Sequence, residues 1–304
     1  MTKIGFIGTG NMGGPMARNL LKAGHAVKAF DTMPAAVEKM VAAGAIAALS
    51  VAEAVTDVDV VVSMLPAGRH VSSVYTGAKG VLVHARPGTL LIDSSTIDVE
   101  TARDVIAKAK AAGFPMIDAP VSGGTTGAEA GTLTFMIGGV EQDVAAAMPY
   151  LEKMGKTLVR AGEAGAGQAA KICNNMILGI SMIAVSEAFA LAEKLGLDAK
   201  SLFEISSKSS GQCWSLTSYC PVPGLVPTSP ANRDYQAGFS VDMMLKDLKL
   251  SQGAARAVKA ETPLGAEATA LYAEFANAGN GPMDFSGIIK MMRSYAAKEI
   301  AAQE

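Results

Sequence analysis

Along the first half of the chain, short β-branched and apolar runs alternate with longer alanine-rich stretches whose apolar positions recur every three or four residues. This switching between a period of two and a period of 3.6 predicts strands interleaved with helices, the pattern of a doubly wound, mostly parallel α/β sheet covered on both faces. Strands are predicted at 3–7, 26–30, 58–63, 89–92, 115–118, 133–137 and 157–159, each bounded by Gly, Pro or Asp. After residue 162 the alternation stops, and the pattern predicts helices only, at 167–194, 199–207, 241–257 and 264–278. The change divides the chain into an α/β domain over 1–162 and an all-α domain over 163–304. The interval 211–238 carries four prolines, Trp214, Tyr219 and Tyr235; a connection of that length points to a lid or a subunit contact.

At 304 residues the chain exceeds what one core usually serves, which agrees with two domains. Half of the residues are apolar and 18% are charged, the balance of a globular enzyme. A net charge of −2 offers no basic surface for nucleic acid or for an anionic membrane, so small molecules are the expected partners. Cys173, Cys213 and Cys220 are odd in number and lack C-x-x-C spacing, which predicts reduced thiols in a cytoplasmic setting. Gly5, Gly8, Gly10, Gly13 and Gly14 interrupt the apolar start, so a strand and turn explain it better than a leader. The apolar stretch 176–192 carries Ser181, Ser186 and Glu187 and falls short of the ~20 residues of a bilayer span. It is expected to be a buried helix, and no membrane partner is expected.

Gly8-Thr9-Gly10-Asn11-Met12-Gly13 follows the first strand directly and opens a helix, the setting in which a G-x-G-x-x-G motif signals a dinucleotide. Gly8 permits the tight turn, Gly10 lets backbone approach a pyrophosphate, and Gly13 lets helix pack on strand. Asp31 ends the next strand; its carboxylate accepts from ribose hydroxyls and repels a 2′-phosphate, which favours NAD over NADP. Leu65-Pro66 and Ser94-Ser95-Thr96 follow two later strands, where ligands of such sheets collect, and Thr96 is the better candidate for a nicotinamide contact. Ordinary loop chemistry accounts for these last two segments equally well.

Lys171, Asn174 and Asn175 stand at i, i+3 and i+4 of a predicted helix, on one side, among apolar neighbours. Burial there would favour the neutral amine and make Lys171 a base in oxidation and an acid in reduction, with Asn175 one turn on to orient a substrate hydroxyl. On the helix alone, a solvated lysine beside two asparagines fits equally well. Asp118-Ala-Pro-Val-Ser122-Gly123-Gly124 adds weight: a hydroxyl followed by two glycines can turn its N–H groups into a cradle for a substrate carboxylate. His25, His70 and His84 show no metal-ligand spacing, so no metal site is expected.

The motifs at 6–16, 118–124 and 165–175 stand in one order, and together the chain resembles the β-hydroxyacid dehydrogenases over essentially its whole length. The resemblance implies a Rossmann domain followed by an all-helical substrate and oligomerisation domain. It also implies Lys171 as catalytic acid/base, Ser122, Gly123 and Gly124 as carboxylate ligands, Asn175 as a substrate contact and Lys246 near the cofactor, and Asn174, in the same helix cluster, is expected to bind substrate with them. Cys213-Trp214-Ser215, Tyr219 to Gly224 and Tyr235 to Phe239 resemble the 3-hydroxyisobutyrate branch, although Cys220 stands where that branch carries asparagine. The implied activity is NAD-dependent oxidation of 3-hydroxyisobutyrate in valine breakdown, and the long apolar helices with the Pro-rich segment favour a homodimer or homotetramer. Another short 3-hydroxy acid, such as L-serine or tartronate semialdehyde, and a non-catalytic NAD-binding role are the alternatives.

Overall fold

The computed structural model describes residues 1–301, and side chains as far as Tyr295. By contacts the chain forms two compact units, Met1–Lys171 and a second that begins at Ile172. The strand pattern ends at 162, yet the contact division falls at Lys171, because the start of the helix Ala166–Lys194 is bonded into the sheet of the first unit.

Nine strands build the first unit: β1 (Lys3–Ile7), β2 (Ala26–Phe30), β3 (Ile46–Ala47), β4 (Val60–Ser63), β5 (Leu90–Asp93), β6 (Met116–Asp118), β7 (Val121–Ser122), β8 (Leu133–Gly138) and β9 (Gly155–Gly162). Their order is β3-β2-β1-β4-β5-β6-β8-β7, with β9 also on β8. Pairing is parallel from β3 through β6; β8 runs antiparallel to β6 and β7 and parallel to β9. Side-chain alternation explains why both faces are covered. Ile4, Phe6, Val60, Val62, Leu90 and Ile92 enter one core, while Ile7, Val61 and Leu91 enter the other. The chain reverses direction across the sheet between β1 and β4, so a crevice opens at the carboxyl ends of those strands.

Of the strands, β3 and β7 lie outside the sequence expectation. Each has two residues, too few to show a period, and Ile46 is exposed despite its apolar side chain.

The second unit is helical, with Ala199–Ser206, Val241–Val258, Pro263–Phe275 and Ile289–Ala301 following the long helix. The helix expected to run to 278 closes at Phe275 and passes into a wider turn, Ala276–Asn280, where Gly279 takes a φ of 89° that no helix continues through. The last helix was not expected from the pattern, although Ile288, Ile289, Met291 and Met292 repeat at helical spacing and are all buried. The segment 211–238 is not a loose lid. Leu216, Cys220, Val222, Val226, Ala231 and Tyr235 fill a core of their own with Val185, Phe189 and Ile289. Tyr235 hydroxyl donates to the Pro221 carbonyl at 2.8 Å and Ser229 hydroxyl to that of Cys220 at 2.6 Å, tying the segment to itself.

The apolar stretch expected to fall short of a span belongs to the 29-residue helix Ala166–Lys194, which is long and apolar enough to cross a membrane by length and composition. Half of its most apolar window is buried inside the protein.

Candidate active site

At the carboxyl ends of the parallel strands, successive loops are bonded side to side. Gly8 N–H donates to the Phe30 carbonyl at 2.8 Å and Thr9 N–H to Asp31 Oδ2 at 2.7 Å, so the glycine turn is held against the end of β2. Gly8 has a φ of 88°, and a Cβ there would stand 2.3 Å from the Met64 carbonyl oxygen. A Cβ on Gly13 would meet the Gly8 carbonyl oxygen at 1.9 Å, which is what lets the helix Gly13–Lys22 press on β1. Gly10 differs from both: nothing lies within 4 Å of where its Cβ would be. Beside it Asn11 is exposed and Met12 half-buried, and no side chain caps the helix that follows.

On the far side of the turn, Leu65 is half-buried and Pro66 exposed. Leu65 N–H donates to Ser95 Oγ at 2.8 Å, and Ser95 Oγ donates to Asp93 Oδ1 at 2.6 Å. Ser63 Oγ also donates to Asp93 Oδ1, at 2.6 Å, and lies 2.8 Å from the Tyr75 hydroxyl. This buried hub holds the loops after β4 and β5 together, with Ser94 buried and Thr96 half-buried at its edge. Desolvation pushes the Asp93 carboxyl above its ordinary range, against the hydroxyl donors that pull it down.

Asp118, at the end of β6, takes Gly165 N–H on Oδ1 at 2.7 Å and Gln168 N–H on Oδ2 at 2.9 Å, which caps the long helix. Burial pushes this carboxyl up to about 6 despite the two N–H donors. The helix start is seated without slack, for a Cβ on Gly167 would meet the Met136 carbonyl oxygen at 2.3 Å. Lys171, one turn on, is 6% exposed. Ser122 is paired with Thr134 across β7 and β8, and Gly123 and Gly124 follow with φ of 132° and 62°. Two successive positive φ values require glycine and turn the chain sharply into the helix Gly124–Ala130.

In the second unit, Asn175 is 1% exposed while its neighbour Asn174 is exposed. Asn174 Nδ2 donates to Asn175 Oδ1 at 3.0 Å, and Asn175 Nδ2 donates to Asp247 Oδ2 at 2.6 Å. Lys246, half-buried on the helix Val241–Val258, has Nζ 3.5 Å from Asp247 Oδ1. Asp93, Asp118 and Gln168 are therefore residues to which the sequence assigned no role, and each bonds to a partner far away in the chain.

A dinucleotide suits the turn at Gly10. The open space there admits a pyrophosphate that a side chain would displace, and the uncapped helix end presents N–H groups to an anion. Thr9 Oγ1 is buried in the same turn with no hydrogen-bond partner among the described residues. Asp31 keeps a second lone pair on each oxygen for ribose hydroxyls while Oδ2 holds Thr9 and Oδ1 holds Met33 N–H at 2.9 Å.

Comparison with known proteins agrees with this geometry. Residues 3–162 match the model of the NAD binding domain of 6-phosphogluconate dehydrogenase, and residues 165–292 that of the NAD-binding region of NADP-dependent 3-hydroxyisobutyrate dehydrogenase. A probable 3-hydroxyisobutyrate dehydrogenase of Mycobacterium tuberculosis is 51% identical over 97% of this chain and 99% of its own. An NAD-dependent L-serine dehydrogenase of Pseudomonas aeruginosa is 49% identical over 96% of this chain and 98% of its own. A solved structure of Mycobacterium tuberculosis 3-hydroxyisobutyrate dehydrogenase with L-serine superposes with a TM-score of 0.93, at 51% identity, covering 96% of this chain and 99% of that one. The chain is therefore an NAD-binding dehydrogenase and belongs to the β-hydroxyacid dehydrogenase family.

Proposed function

We propose that this dehydrogenase oxidises 3-hydroxyisobutyrate to methylmalonate semialdehyde with NAD, as a step of valine breakdown, and that Lys171 exchanges the hydroxyl proton. The observation that carries the reading is the burial of Lys171 one turn into a helix whose start is fixed by Asp118 and Gln168. A proton acceptor has to be held still and away from bulk water to act at one hydroxyl. When bound, the nicotinamide supplies the hydride acceptor. The chain's own residues do the rest of the work. Ser122 Oγ with the Gly123 and Gly124 N–H groups holds the substrate carboxylate. Gly8, Gly10, Asn11, Met12, Gly13 and Asp31 hold the dinucleotide, with Leu65, Pro66 and Thr96 completing its surroundings. In the oxidative direction Lys171 takes the hydroxyl proton, and in reduction it returns one to the carbonyl oxygen.

Asp31 supports NAD over NADP, since a carboxylate already fixed at the ribose end repels an added phosphate. Free thiols at Cys173, Cys213 and Cys220 fit a cytoplasmic setting, and exposed Ile177 and Leu191 on the long helix fit a homo-oligomer. L-serine oxidation is the second reading, favoured by the Pseudomonas aeruginosa relative's name. Initial rates with NAD separate the two. The first reading expects kcat/KM for 3-hydroxyisobutyrate to exceed that for L-serine by about tenfold or more, the discrimination a small apolar pocket supplies. Equal or reversed values make this a serine dehydrogenase.

A further inference from the structure

Gln168 is fully buried, yet its side chain carries an amide. Its Oε1 accepts from Ile97 N–H at 3.0 Å, and its Nε2 donates to the Ser95 carbonyl at 2.7 Å. A position that only needed volume would be filled at less cost by leucine or methionine, because a buried amide has to recover both of its hydrogen bonds. This one recovers them from a single turn, reading a donor and an acceptor two residues apart. That turn, 95–97, is itself anchored on its other side: Ser95 Oγ holds Leu65 N–H and donates to Asp93. Gln168 therefore joins the helix start to the same bonded run that carries the loops after β4 and β5.

Gln168 and Lys171 are three residues apart on one helix, so they share a side and stand about 4.5 Å apart along its axis. A rotation or slide of the helix start moves both together. We propose that Gln168 is a positioning residue for the dehydrogenation, its amide fixing the turn that carries Lys171 against the loop that carries Thr96. The inference rests on the reading of Lys171 as the acid/base.

Two substitutions test it, with kcat, KM and NADH affinity measured on the full-length protein. Gln168→Met keeps the length and removes both hydrogen bonds. The expected outcome is a fall in kcat of about 10- to 100-fold, the cost of a displacement near 1 Å, with NADH affinity changed far less. Introducing Gln168→Met into Lys171→Ala should cost nothing further, since a residue that acts through the lysine has no effect once the lysine is gone. Gln168→Glu supplies a readout that a merely space-filling role would not move. A protonated glutamic acid can donate to the Ser95 carbonyl and accept from Ile97 N–H, whereas the carboxylate cannot donate. The ratio of its turnover to the parent's should be highest at low pH and fall about tenfold or more as the pH rises through the ionisation of the new carboxyl. Parent-like kcat in Gln168→Met, losses that multiply in the double variant, or a flat ratio for Gln168→Glu overturns the positioning role. If Gln168→Met does not fold, the pH ratio of Gln168→Glu decides alone. Unchanged turnover in Lys171→Ala removes the lysine reading instead, and is a separate result.

Discussion

Glycines of the first unit do opposite things at different positions. At 8–13 the middle glycine faces open space, so the absence of a side chain there leaves room that the protein itself does not fill. At Gly138 and Gly167 the missing side chains are taken up by protein: a Cβ on Gly138 would stand 2.3 Å from Asp118 Oδ1, and one on Gly167 the same distance from the Met136 carbonyl oxygen. Gly10 leaves room for a ligand, whereas Gly138 and Gly167 seat a helix. A dehydrogenase needs both, because binding energy for the cofactor is useful only if the proton-transferring group is fixed relative to it.

The comparison can be broken at three points. Gly167→Ala should have the largest effect. Its Cβ meets backbone, which cannot move aside cheaply, so the first unit should lose about 3 kcal/mol or more on denaturant unfolding. A loss below about 1 kcal/mol would show that the seat has slack.

Asp118 gives the next largest effect, and its sign follows from its ionisation. Burial raises the folded carboxyl from 3.8 to about 6, so folding binds a proton. The stability this provides is fully present below the unfolded value and is lost as pH rises through about 6, up to about 3 kcal/mol in all. Asp118→Asn has no such ionisation. Unfolding free energies of parent and variant at pH 4 and pH 7 should therefore differ in slope by up to that amount, with the parent relatively more stable at pH 4. Parallel slopes would mean that water reaches the helix cap.

Gly10→Ala should have the smallest effect on the fold and a selective one on the ligand. With nothing within 4 Å of the new methyl, stability should change by about 1 kcal/mol or less, while the NAD dissociation constant rises roughly tenfold or more. Titration of the folded variant with NADH checks this; unchanged affinity would place the pyrophosphate elsewhere.

How much of this was legible in the sequence depends on how local each signal was. The turn 8–13 could be read because strand, glycines and helix follow one another within a dozen residues. Lys171 stood out for the same reason, its asparagines lying a turn away. The roles of Asp118 and Gln168 could not be read: their partners are 47 to 73 residues distant, and only the folded sheet brings them together. Helical spacing also failed to separate Asn174 from Asn175: both lie within about one turn of Lys171, yet as adjacent residues they point roughly 100° apart around the helix, and only the second is buried. The packed segment 211–238 resembled a lid because prolines suppress regular structure, and its core contacts follow no period. The two-residue strands β3 and β7 carry too few positions to form a pattern.

The most direct measurement is single-turnover oxidation of 3-hydroxyisobutyrate by Lys171→Ala with NAD, beside an NADH titration of the same variant. The account predicts a rate lower by about 10² to 10⁴ with NADH affinity near that of the parent, the signature of a lost proton acceptor. A parent-like rate, or a rate lowered only as far as cofactor binding is lowered, would contradict it.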